Sequence, residues 1–251
     1  MNILYEDNHI IAVEKPTGVL IQGDFSGEES LLDQVRTYIK NAYGKPGNVY
    51  LGLVHRLDKP VSGAVVFART TKAARRLHRE FKTRNVLKLY LALVHNTGNT
   101  ESMMQSEGWH ELKQMVARQH DKTVIVNGTD PRAQEAALSY LPLSRNEKYA
   151  LLLVRMYTGR KHQIRAQLAS VHMPVVGDMK YGSLEQLDDH AICLHSWRLQ
   201  FTHPTLRTPL NIISAIPERI RKRIEIENEI HRHLSHSHSG RDRKQEISGG
   251  A

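Results

Sequence analysis

The 251-residue sequence contains a single cysteine, Cys193, which excludes a disulfide framework and a cluster of thiolate metal ligands. No apolar run approaches the roughly 18 to 20 residues needed to cross a bilayer. The opening residues, Met1-Asn2-Ile3-Leu4-Tyr5-Glu6-Asp7, lack the layout of a secretory signal. There is no glycine-rich phosphate loop and no regular metal-ligand spacing. His231, His233, His236 and His238 have no acidic or cysteine partners at a fixed spacing, so they read as adventitious rather than as a built metal site. These absences point to a cytoplasmic protein without a membrane segment.

Acidic residues are scarce in one stretch. Residues 55–90 hold ten Lys or Arg (Arg56, Lys59, Arg69, Lys72, Arg75, Arg76, Arg79, Lys82, Arg84, Lys88) against Asp58 and Glu80 alone. That stretch carries nearly all of the net charge of +9. Such an excess favours an acidic partner, and nucleic acid is the commonest. With 40% apolar residues the chain can bury a sizeable core as one large or two small domains. No internal repeat is visible.

The organising feature is His55-Arg56-Leu57-Asp58-Lys59-Pro60-Val61-Ser62-Gly63. It lies between the apolar runs 50–54 and 64–68, which read as buried strands. A charged turn between two strands is where a rigid scaffold can present chemistry. The alternative is an ordinary turn whose Asp satisfies backbone donors.

Taken in order, residues 3–5 and 10–13 form a hairpin, broken by Glu14-Lys15-Pro16-Thr17-Gly18. Ser30 caps a helix with Asp33 three residues on, and Leu31, Val35, Tyr38 and Ile39 give it one apolar face. Thr70 or Thr71 caps a second helix, with Ala74, Leu77 and Phe81 on one side and Lys72, Arg75, Arg76, Arg79 and Lys82 on the other. A solvated face is the ordinary use of such a charge run, but a one-signed excess suits phosphate better. Residues 87–94 alternate with period two, so Tyr90 shares a face with Lys88 and points away from the leucines. It either packs with its hydroxyl wet or offers a stacking platform.

Residues 96–130 are polar and weakly patterned, with 124–126 as their one clear strand. Strands are expected over 133–141, 149–157, 194–201 and 212–216, and a helix over 161–172. Arg165 falls in the first turns of that helix, against the helix dipole; a cation kept there implies an anion nearby. A charged helix over 218–234 and a disordered tail over 235–251 complete the chain.

His55-Arg56-Leu57-Asp58 with Ser62-Gly63, Lys88-x-Tyr90 and Thr158-Gly159-Arg160-Lys161-His162-Gln163-Ile164-Arg165 resemble the RluA-type pseudouridine synthases. Glu14-Lys15-Pro16-Thr17-Gly18, Val176-Gly177-Asp178 and Leu194-His195 match that family in the same order. The resemblance spans residue 3 to about 217. Val61 stands where the family usually has Thr, and the small N-terminal RNA-binding domain of many members is missing, so the chain resembles a stand-alone catalytic domain.

The resemblance implies an α+β fold, a mixed and mainly antiparallel sheet flanked by helices. It implies a catalytic domain over 1–217 followed by the charged helix and tail over 218–251. The reaction implied is isomerisation of a uridine in ribosomal or transfer RNA to pseudouridine, without metal or cofactor. Asp58 would act as nucleophile or base, Arg165 as its partner, and Tyr90 as stacking surface or base. Arg56 would fill the stack vacated by a flipped base. RNA contacts would come from Arg56, Lys59, Arg75, Arg76, Arg79, Lys88, Arg160 and His162, in a monomer. The rival readings are a non-catalytic RNA-binding protein and, more distantly, a metal hydrolase using the histidines.

Overall fold

The computed structural model describes residues 1–25, 27–96 and 108–226. Among these, eleven strands join in one sheet: β1 (Asn2–Glu6), β2 (Ile10–Lys15), β3 (Gly52–Leu53), β4 (Ser62–Ala68), β5 (Leu87–His95), β6 (His110–Gln119), β7 (Lys122–Ile125), β8 (Gln134–Arg145), β9 (Tyr149–Met156), β10 (Leu194–Thr202) and β11 (Pro209–Ile213). The order across the sheet is β1-β2-β4-β10-β5-β9-β8-β6-β7, with β3 on β4 and β11 on β10. Every pairing between named strands is antiparallel except that of β4 with β10. The fold is therefore α+β, as expected.

Helices cover the two faces unequally. On one face α1 (Leu31–Ala42) and α3 (Gln163–Ser170) bury Leu31, Val35, Ile39, Ile164 and Leu168 against Val13, Val65, Phe67, Tyr90 and Val94. On the other, α2 (Thr71–Lys82) packs Ala73, Ala74 and Leu77 on Ala12, Ala64 and Val66. Leu89, Leu91 and Leu93 meet Leu151, Leu153 and Trp197 beside them. Strand β4 is buried along its whole length, which explains why it appears as an unbroken apolar run. Ser30 and Thr70 cap α1 and α2, accepting from the amides of Asp33 and Ala73.

The sheet has one short parallel junction, and it lies where the sheet positions the site. Strands β4 and β10 pair over two rungs only, Ser62 with His195 and Gly63 with Ser196. Gly63 has φ +117°, and a Cβ there would lie 2.3 Å from the Ser196 carbonyl oxygen, so the backbones approach as closely as only glycine permits. Beyond this rung, side chains complete the edge of β4. Ser196 Oγ donates to the Ala64 carbonyl at 3.1 Å, and His55 Nε2 accepts the Val66 amide at 3.0 Å.

Three expectations need correction. The polar stretch before residue 130 contains β6, a ten-residue strand, and β7 covers Lys122–Ile125. This hairpin closes the far edge of the sheet, and most of β6 stays partly exposed, so it lacks an apolar signature. The strand expected over 50–54 is only Gly52–Leu53, because the chain leaves the sheet early to form the Asp58 loop. The helix expected over 218–234 is described only as far as 226 and is one turn, α4 (Glu218–Arg221). Ile220 and Ile224 are buried in the core, so the fold continues past Pro217. The tail and its histidines lie outside the described residues.

Candidate active site

The loop between β3 and β4 is held from both sides of Asp58. Leu57 and Val61 are buried in the core, and the Val61 amide donates to the Asp58 carbonyl at 3.0 Å. Lys15, fully buried at the end of β2, donates through Nζ to the Lys59 carbonyl at 3.0 Å and the Pro16 carbonyl at 2.8 Å. Burial brings the Lys15 pKa down to about 7, against the pull of the Asp58 carboxylate. His55 stacks on Phe81 with centroids 4.8 Å apart. Burial, with Lys88 nearby, drives its pKa to about 3, so it is a neutral structural acceptor. With its backbone pinned and its side chain 26% exposed, Asp58 projects its carboxylate into the open part of the site.

Helix α3 brings the cation. Arg165 grips Asp178 with two hydrogen bonds, Nε to Oδ2 at 2.6 Å and Nη2 to Oδ1 at 2.8 Å. Its third direction, Nη1, points to Asp58 Oδ2 at 3.4 Å. The guanidinium carbon lies 4.9 Å from the centre of the Tyr181 ring. Burial pulls the Arg165 pKa down, and the bonds to Asp178 with the charge of Asp58 more than restore it. The anion implied by an Arg near a helix N-terminus is thus present twice, and the tighter partner is Asp178, which is 1% exposed.

His162 caps α3 at φ +52° and places Nε2 3.7 Å from Asp58 Oδ2. Its Nδ1 lies 3.0 Å from the Tyr181 hydroxyl, which accepts the Thr123 amide at 2.8 Å. Tyr181 thus holds the ring by Nδ1, so that Nε2 faces the carboxylate. Burial lowers the His162 pKa to about 4, opposed by Asp58 and assisted by Arg165, so the ring is neutral at pH 7.

Tyr90 reaches the same site from β5. Burial pushes its pKa to about 12, with the Ser196 hydroxyl opposing and the Asp58 charge adding. It remains a phenol at neutral pH. The start of α3 is seated by buried amides: Thr158 Oγ1 donates to Gln163 Oε1 at 2.8 Å, and Gln163 Nε2 donates to the Ala137 carbonyl at 3.1 Å. Gln163 Nε2 also reaches Gln167 Oε1 at 3.0 Å.

The structure thus gathers Asp58, Tyr90, Arg165 and His162. The other expected residues are dispersed. Arg56 is exposed beside Asp58. Lys59 pairs with Glu28 at 2.7 Å on the surface. Lys88 turns inward to the Thr158 carbonyl at 3.3 Å, and burial, with Arg84 beside it, lowers its pKa to about 8. Arg160 Nε binds the Glu135 carbonyl at 3.0 Å. Arg75 and Arg79 are exposed on α2, which packs on the sheet face opposite Tyr90. Arg76 is tied to the Pro204 carbonyl at 2.6 Å.

Sequence reasoning missed roles for Lys15, Gln163, Asp178 and Tyr181. A buried-size Lys followed by Pro, and an acid between a Gly and a short turn, were the available signals. Among the described residues no group of three or more His, Cys, Asp or Glu is placed to hold a metal ion.

The family described as RNA pseudouridylate synthase matches residues 9–170. The chain belongs to that family. Its relatives include the tRNA pseudouridine synthase C of Pasteurella multocida, 31% identical over 87% of this chain and 93% of that protein. The ribosomal large subunit pseudouridine synthase C of Buchnera aphidicola is 30% identical over 86% of this chain and 66% of its own length. Among solved structures, human RNA Pseudouridylate Synthase Domain Containing 4 superposes with a TM-score of 0.73 at 25% identity, covering 90% of this chain and 95% of that one. The protein is accordingly an RNA pseudouridine synthase, an isomerase, and the geometry around Asp58 can be considered in those terms.

Proposed function

We propose that this pseudouridine synthase converts a specific uridine of transfer or ribosomal RNA to pseudouridine through Asp58. The observation that carries the reading is one carboxylate, partly exposed, facing the Arg165 guanidinium at 3.4 Å and the neutral His162 ring at 3.7 Å, close enough to Tyr90 for its charge to be felt there.

The target uridine leaves its stack to reach this site, and Arg56, exposed on the loop, takes up the vacated space. The uracil lies against Tyr90. Asp58, ionised, acts as nucleophile at the ribose or as base. The C1′–N1 bond breaks, the uracil turns, a C1′–C5 bond forms, and the C5 proton passes to N1 by way of a base or solvent. Because burial keeps Tyr90 a phenol, we assign it the stacking role; proton removal by Tyr90 would need a phenolate. Arg165 and the His162 ring hold the carboxylate in one orientation while it loses hydration.

Arg75 and Arg79 on α2, with Arg56 and Lys59 on the loop, bind phosphates of RNA wrapped around the sheet edge. Lys88, Arg76 and Arg160 act through the loops they tie. The enzyme works as a monomer in the cytoplasm, and residues 1–217 with the packed segment after them form its catalytic unit. The relatives named for transfer RNA and for the large ribosomal subunit support both substrate classes.

The test is pseudouridine mapping of total RNA from cells with and without the gene. One site lost with the gene and restored by it would establish the target. No lost site in either RNA class would overturn the assignment of transfer or ribosomal RNA as the substrate.

A further inference from the structure

Beyond Pro217 the chain returns to the catalytic loop with an arginine that the reaction above does not use. Arg219, in α4, sends Nη1 to Thr17 Oγ1 at 3.0 Å and Nη2 to Ser62 Oγ at 2.5 Å. Ser62 opens β4, four residues after Asp58. Thr17 follows Lys15-Pro16, the segment whose lysine holds the Lys59 carbonyl. The two segments also meet directly, the Gly18 amide donating to that same carbonyl at 2.9 Å. Ser62 Oγ accepts from Arg219 and also hydrogen-bonds with His195 Nδ1, 2.8 Å away.

The helix that carries Arg219 is itself anchored. Ile220 and Ile224 are buried, and Arg223 Nη1 donates to the Arg219 carbonyl at 3.0 Å. Among the described residues, the ionisable groups that interact electrostatically with the Arg219 guanidinium include Lys15, His195, Cys193 and Arg223. None of these is an anion at neutral pH. A half-buried guanidinium so surrounded is costly to keep, and here its two outer nitrogens span two hydroxyls on different segments.

We propose that Arg219 is a positioning residue for the catalytic loop: acting through Thr17 and Ser62, it fixes the distance between the 15–18 segment, which holds the Lys59 carbonyl, and the β4 end of the loop that carries Asp58. The proposal rests on the reading of Asp58 as the catalytic group. A planar fork with two parallel donors suits this role, and an ammonium, a single point on a flexible stem, reaches one hydroxyl at a time.

The experiment compares wild type, Arg219→Met and Arg219→Lys by tritium release from 5-tritiated-uridine RNA of cells lacking the gene, and by amide hydrogen exchange of the free proteins. Arg219→Met is expected to lower kcat about 10- to 100-fold, the scale of an ångström misplacement, with KM for RNA changed less than about 2-fold. Arg219→Lys falls between. Arg219→Met combined with Thr17→Val is no slower than Arg219→Met alone, because the Thr17 hydroxyl contact is already lost in the single variant. Exchange at the Gly18 and Val61 amides quickens about tenfold in Arg219→Met, while the β5 and β9 amides keep their protection. Unchanged kcat, or unchanged exchange at Gly18 and Val61, overturns the proposal. If Arg219→Met does not fold, Arg219→Lys carries the same comparison. A wild type that releases no tritium would count against the functional reading, and the exchange measurement would still decide whether Arg219 holds the loop.

Discussion

At the scale of single residues, the site depends on a pairing that sequence position does not reveal. Arg165 could be seen to need an anion, because a cation at a helix start works against the dipole. That the anion is chiefly Asp178 follows only from folding, which brings a loop thirteen residues downstream against α3. Removing it leaves a buried guanidinium with one long contact. Asp178→Ala should therefore cost about 3–5 kcal/mol of stability, read from the midpoint of urea unfolding. The alternation of β5 put Tyr90 on the face away from the leucines, where it is found; that this face is buried as well came only with the fold, and the chemistry of Tyr90 follows from that burial. If stacking is its role, Tyr90→Phe keeps kcat/KM within about tenfold. Tyr90→Ala loses roughly 1–3 kcal/mol of base stacking, or about 5- to 150-fold. A collapse of kcat in Tyr90→Phe would restore the hydroxyl as the base.

Whole elements were legible where one period dominates. The first hairpin, the capped α1 and α2, and β4, β5, β8, β9 and β10 all appear close to where apolar spacing puts them. Strand β6 did not, because a strand near the far edge of a sheet, between β8 and β7, can be held by its ladders with little apolar surface of its own. The charge of α2 was legible as well, but not its place: its apolar side settles on the sheet face away from Tyr90, so Arg75 and Arg79 stand apart from the groups gathered at Asp58. Charge reversal at these two positions should weaken RNA binding and lower the slope of log affinity against log salt by about two, with thermal stability unchanged. The junction of β4 and β10 was invisible in sequence beyond the Ser-Gly pair. Gly63→Ala should cost at least about 2 kcal/mol by thermal unfolding, since its Cβ would strike the Ser196 backbone.

For the molecule as a whole, buried bases link stability to pH. His55 and His195 have pKa values of about 3 in the folded chain, both lowered first by burial, against about 6.5 unfolded. The unfolded chain binds their protons first, so the stability they allow is full above pH 6.5 and is lost as pH falls toward 3. Each contributes about 1.4 kcal/mol per pH unit through that window. Urea midpoints measured from pH 7 to pH 5 should fall accordingly, and His55→Gln should flatten the slope by about one proton. The same organisation makes the functional claim simple to state: a folded, RNA-binding scaffold in which one carboxylate performs the reaction. The direct test is purified wild type against Asp58→Asn, measured side by side for RNA affinity and for pseudouridine formed on the RNA identified by mapping. Affinity within about threefold and no detectable pseudouridine from Asp58→Asn is the predicted result. An Asp58→Asn enzyme that still forms pseudouridine would contradict the account.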